Sequence, residues 1–129
     1  MRRVVAFLLL PMLAGPASAT GSIGCEGAGG DDVSIELTLG SLPVLAVVAA
    51  SIRVGDDVWS TAEDAGSRMA VGQGFSEDGR LMVDFVDPNF EDVVARLRLV
   101  SADEAKDQAL AGTLAVSGRG AWPIVCVGP

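Results

Sequence analysis

The chain of 129 residues contains only two cysteines, and they stand far apart. Cys126 lies three residues from the C-terminus, inside the apolar stretch Ala121-Trp122-Pro123-Ile124-Val125-Cys126-Val127. Cys25 comes just before the first alternating run, Asp32-Val33-Ser34-Ile35-Glu36-Leu37-Thr38-Leu39. A bond between them closes a loop of about a hundred residues, for which chain-entropy reasoning gives roughly 4–5 kcal/mol. Against a typical domain stability of about 5–15 kcal/mol, one cross-link would supply a large share. It also requires the first and last strands of the fold to be neighbours.

The N-terminal segment explains why those thiols should be oxidised. Met1-Arg2-Arg3 is a short basic region, Val4 to Ala14 is apolar, and Pro16-Ala17-Ser18-Ala19 supplies the small residues of a cleavage site. Residues 1–19 are therefore expected to be a secretory signal, too short and wrongly flanked for a membrane span. Removal leaves 110 residues, the size of one domain, with no integral membrane segment. The expected location is periplasmic or extracellular, where paired cysteines persist. Ser22-Ile23-Gly24-Cys25 also resembles a lipobox, and a lipid anchor on Cys25 is the alternative, at the cost of leaving Cys126 without a partner.

Residues 20–31, rich in glycine, read as a flexible lead-in, and residues 32–129 as a single β-domain. A glycine-rich loop cradles phosphate when a strand precedes it and a helix follows, which is not the case here. From Asp32 the apolar period is two, with Val33, Ile35, Leu37 and Leu39 on one face. Val44 to Val54 reads as a second strand. Gly55-Asp56-Asp57 turns into Val58-Trp59-Ser60, and Thr61 to Ser67 is a surface loop. Met69, Val71 and Phe75 share one side of the next strand, whose two glycines suggest a bulge or a close approach. Ser76-Glu77-Asp78-Gly79 turns into a strand with Leu81, Val83 and Phe85 inward. Asp87-Pro88 is a possible helix start. Val93 to Val100 alternates around Arg96 and Arg98 and is another strand. Two more, Gln108 to Val116 and the closing stretch, complete the count.

About eight short strands with brief turns and no long helix indicate an all-β fold. The expected architecture is an antiparallel meander forming a small barrel, with a flattened sandwich as the alternative. Pro123, unable to donate to a ladder, is expected to mark a bulge.

Composition narrows the chemistry. There is no histidine and no tyrosine, which removes the commonest general base near neutral pH and the commonest transition-metal ligand. Paired cysteines offer no thiolate. The single lysine, Lys106, sits between Glu104 and Asp107 in a charged turn. No catalytic residue and no cofactor is expected; a carboxylate-based hydrolase is the remaining enzymatic alternative, although the acids cluster in turns. Calcium is the one metal that oxygen ligands alone would suit. Asp87, Asn89, Glu91 and Asp92 form the candidate set, which lacks the glycine and distal glutamate of an EF-hand; a solvated turn is the plainer reading.

Without the signal the chain carries seven basic and 17 acidic residues, a net charge of −10. That disfavours nucleic acid and anionic lipid and suits a basic protein partner. Trp59 and Trp122 both follow hairpin turns, so they either rim one end of the fold or seal its core. With Ser117, Gly118, Arg119 and Gly120 they make up the candidate binding loop. The turn Ser117-Gly118-Arg119-Gly120-Ala121 resembles the Ser-Gly-x-Gly-Ala motif of periplasmic C-type lysozyme inhibitors. The resemblance implies an eight-stranded, disulfide-tied barrel that inserts this loop into a lysozyme cleft. In that family a tyrosine follows the motif, where Trp122 stands here. The expected function is that of an exported, non-enzymatic binding or envelope accessory domain, with inhibition of a basic enzyme as the alternative.

Overall fold

The computed structural model describes residues 21–62 and 66–129, so residues 1–19, expected to be a secretory signal, lie outside the described residues. Ten strands are present: β1 (Gly21–Gly27), β2 (Val33–Leu39), β3 (Val47–Val54), β4 (Asp57–Ser60), β5 (Ser67–Arg68), β6 (Ala70–Glu77), β7 (Arg80–Val86), β8 (Val93–Glu104), β9 (Asp107–Val116) and β10 (Gly120–Val127). No helix occurs among the described residues. The strands form one sheet in the order β5-β4-β3-β2-β1-β10-β9-β8-β7-β6.

The two edges of that sheet, β5 and β6, are consecutive in the chain and joined through Met69. The sheet is thus nearly closed into a barrel, and the flattened sandwich is set aside. Counted as one run, β5 and β6 bring the number of staves to nine. A ring with an odd number of alternating strands must contain one parallel pair. That pair is β4 with β5, Trp59 opposite Ser67 and Ser60 opposite Arg68. The Met69 amide extends the contact by donating to the Ser60 carbonyl at 2.9 Å.

The expected clasp is present. Cys25 and Cys126 face each other across the β1–β10 ladder and are bonded, with Cα atoms 4.0 Å apart. The bond fits a non-cytoplasmic compartment and uses the sulfur that lipid attachment would need. One core lies inside the barrel, drawing Ile35 and Leu37 from β2, Ile52 from β3, Phe85 from β7, Leu97 and Leu99 from β8, Leu114 from β9 and Ile124 from β10. Cys25 and Cys126 are buried with them, whereas Val125 points outward, as the parity of β10 requires.

Several expectations are corrected. The stretch read as a flexible lead-in, residues 20–31, contains β1. Three glycines in Gly21–Gly27 hide its alternation, but Ile23 and Cys25 point into the core and the strand is paired on both sides. This strand and the two-residue β5 raise the count from eight to ten. As expected, β1 and β10 are neighbours, interior to the sheet, and the barrel seam falls between β6 and the β3–β4 side. Pro123 marks no bulge. It stays in register with Thr113 on β9, and its carbonyl accepts from the Ala28 amide at 2.9 Å just beyond the last β1–β10 pair. Its nitrogen, facing the same side as that carbonyl, has no ladder to serve. The suspected bulge in β6 is real and sits at Gly72, between Val71 and Gln73. It reverses the parity beyond it, so that Phe75, expected inward, is exposed. Residues 87–92 form a capped turn, not a helical one.

Candidate functional site

The antiparallel registers gather four connections at one end of the barrel: residues 28–32, 55–56, 87–92 and 117–119. With Asp57 at the start of β4, this end carries Asp31, Asp32, Asp56, Asp57, Asp87, Glu91 and Asp92. Its strands place Trp59 and Arg119 together, although they are sixty residues apart in the chain. Trp59 lies opposite Ile52, whose side chain is fully buried, so its ring shares the inward face and packs on the core. One part of the ring stays at the surface, and the Arg119 guanidinium covers it, 5.6 Å from the centroid. Arg119 is also ion-paired with Asp57.

At partly exposed sites a cation–π contact contributes about 0.5–1 kcal/mol and an ion pair about 0–1 kcal/mol. The two together are enough to fix where Arg119 rests, yet weak enough to be exchanged for a partner. Around them lies an open depression of about 580 Å³ bordered by Arg53, Asp56, Asp57, Trp59, Ser67 and Arg119. The turn that presents Arg119 is fastened to the start of β8. The Ser117 amide donates to the Val94 carbonyl at 2.8 Å, and the Ser117 hydroxyl donates to the Val93 carbonyl at 2.6 Å. Gly118 adopts the left-handed φ of 74° that this tight turn requires.

The other candidates fall elsewhere. Trp122 is half-buried against the core, with its ring beneath Gly120, and does not line the depression. Of the two tryptophans, then, both seal the core and only Trp59 also meets a surface site. Asp57 is the site residue that sequence reasoning passed over as one more turn acid; its place opening the strand that carries Trp59 was the available signal.

The calcium candidates are engaged differently. The Asp87 carboxylate accepts amide hydrogens from Glu91 and Asp92, both at 2.8 Å, and from Asn89 at 3.2 Å. These bonds, that from Asp92 foremost, hold its carboxyl below the usual carboxylate range. This is a self-capped turn whose main carboxylate is already occupied. No group of three or more His, Cys, Asp or Glu side chains able to hold a metal ion occurs among the described residues. No Asp or Glu among the described residues is buried as a whole residue, although Oδ1 of Asp84 is shielded from solvent. Asp84, half-buried on the outer face, is matched to Arg98, whose Nη1 lies 2.8 Å from its Oδ1. The same Nη1 directs hydrogens to the carbonyls of Leu97 at 2.8 Å and Val83 at 3.4 Å, so Asp84 gains the charge without an aligned hydrogen bond.

No protein-family model, curated protein or solved structure matches this chain.

Proposed function

We propose that this chain is an exported, non-enzymatic binding domain that offers the Trp59–Arg119 end of its barrel to a basic protein partner. The observation that carries the reading is the meeting of two unrelated hairpins over Trp59 at an end holding seven acidic residues. Acidic turns steer a basic surface towards the barrel end, and an arginine held ready over an aromatic ring, free to exchange these contacts for a partner's, supplies the kind of anchor that dominates interface energetics. The signal-like residues 1–19 and the disulfide support a periplasmic or extracellular setting.

A second reading, inhibition of a basic enzyme, is favoured by the exposed turn Ser117-Gly118-Arg119, which projects from β9 and β10 and is braced at its base by Ser117. A braced, protruding turn suits insertion into a cleft because little ordering remains to be done on binding.

One experiment addresses both. The purified protein is titrated against a C-type lysozyme and other small basic secreted proteins, reading affinity and enzyme inhibition. Binding that Arg119→Ala weakens at least about tenfold supports the binding end; inhibition with the same sensitivity supports the inhibitor reading. Binding indifferent to Arg119→Ala, or none up to high micromolar concentration, overturns the assignment of this end.

A further inference from the structure

On the outer face of β8, β9 and β10, Arg96 and Arg98 stand near the start of β8 and Glu104 and Asp107 at its far end, and the surface between them is uncharged. Its outward positions include Val100, Ala111, Thr113, Pro123, Val125 and Val127. Val100 is 59% exposed, Val125 56% and Val127 81%, values that belong to an uncovered surface. One cross-strand row crosses this face without a break: Arg80 on β7, Val100 on β8, Ala111 on β9, Val125 on β10 and Glu26 on β1, each directly opposite the next. All five are exposed. The side chains of Arg80 and Glu26, the charges that flank the apolar centre, make no hydrogen bond or ion pair among the described residues; past Glu26 the register runs on to Ser34 and Arg53. Glu77 lies across the hairpin from Arg80 but is not ion-paired with it.

From this row we infer that the β8–β10 face is a self-complementary surface on which a second copy of the chain docks. The sequence of properties along the row is cation, valine, alanine, valine, anion. A two-fold axis parallel to the strands and passing by Ala111 reverses the row onto itself. It sets Val100 of one copy against Val125 of the other, alanine against alanine, and Arg80 against Glu26 at both rims. A two-fold axis across the strands instead opposes Arg80 to Arg80 and Glu26 to Glu26, so the charges select one orientation. Small residues at the centre let two sheets approach to the ordinary face-to-face spacing of about 10 Å. With only three apolar side chains on the row between its charged rims, the dimer is expected to be weak, dissociating at micromolar concentration.

Sedimentation equilibrium over roughly 1–200 μM, the range in which a weak dimer dissociates, tests the proposal. The expected result is a monomer–dimer equilibrium that Val125→Lys abolishes and that Arg80→Glu weakens at least about tenfold. Combining Arg80→Glu with Glu26→Arg restores the charge match, and the dissociation constant should return to within about threefold of the original. All three positions are exposed, and circular dichroism confirms that each variant is folded. A protein that stays monomeric throughout, or a dimer that the charge exchange does not rescue, overturns the inference. So does a monomer that sediments with zwitterionic lipid vesicles through a Val125→Lys-sensitive contact, since the face would then serve a lipid surface.

Discussion

The β1–β10 clasp and the β6 seam lie on the same sheet and are built on opposite principles. β1 is held by β10 on one side and β2 on the other, carries a disulfide, and sends Ile23 and Cys25 into the core. β6 is paired only with β7, is bulged at Gly72, and beyond Val71 has no residue that is even half-buried. At Gly74 its neighbour across the seam is the Leu45 side chain, from the loop between β2 and β3, instead of another strand. Local sequence preference does not explain the difference. The glycine-rich β1 is the poorer strand former of the two, yet it is the better held. Position between two partners outweighs propensity.

The largest expected effect tests the clasp. Replacing both cysteines by alanine should lower stability by about 4 kcal/mol, the cost of releasing a loop of this length, as measured by denaturant unfolding. Hydrogen exchange on the reduced or substituted protein should lose protection first in β1 and β10, while β6 keeps the rates it had before. Even loss everywhere, or loss beginning at Ser76–Gly79, would contradict the contrast between clasp and seam.

Two phenylalanines measure the contrast on adjacent strands. Phe85 on β7 is fully buried, whereas Phe75 on β6 is 46% exposed. Phe85→Ala should cost about 3–5 kcal/mol, and Phe75→Ala should change stability by no more than about 0.5 kcal/mol. Similar costs at the two positions would mean that the seam is closed in solution and that β6 is packed.

The smallest effect concerns the turn at residues 87–92. Because the folded protein holds the Asp87 carboxyl below its ordinary value of 3.8, the ionised form is the one that stabilises the turn. Its contribution is complete above that ordinary value and is lost as pH falls through the lower folded value. The amide resonances of Glu91 and Asp92 should therefore titrate with a midpoint below 3.8. Asp87→Ala should loosen this turn at neutral pH, leave the clasp untouched, and differ little from the parent protein in strong acid. A midpoint at or above 3.8 would show that the amide bonds do not form.

The strands most legible in the sequence are those whose outward positions are charged or polar. Ser34 and Glu36 frame Ile35, and Arg96 and Arg98 frame Leu97, so the residue types alone make the parity plain. In β1, Gly21 and Gly27 take the inward parity at either end and Gly24 stands between Ile23 and Cys25, so only two core residues mark the alternation and the stretch reads as a loop. The bulge at Gly72 could be suspected from its glycine, but its effect on Phe75 depends on which single residue is extruded, a choice made by pairing with β7. The candidate site divides in the same way. Trp59 and Arg119 are each conspicuous as residue types in hairpins, but their contact depends on how many strands separate β4 from β10 around the barrel. No local pattern carries that number.

The sheet order has a last consequence, for the route by which the chain reaches it. Read from either edge, β5-β4-β3-β2-β1 and β6-β7-β8-β9-β10 are two runs of neighbours in sequence, and all but one of the pairings within them are hairpins that form by local search. The single distant pairing is β1 with β10, across a sequence separation of 101. Loop-closure entropy for the whole domain is therefore concentrated in one ladder, where two independently assembled half-barrels have to meet. With only Cys25 and Cys126 present there is no wrong disulfide within the molecule, and oxidation at that meeting point converts the one non-local contact into a permanent one.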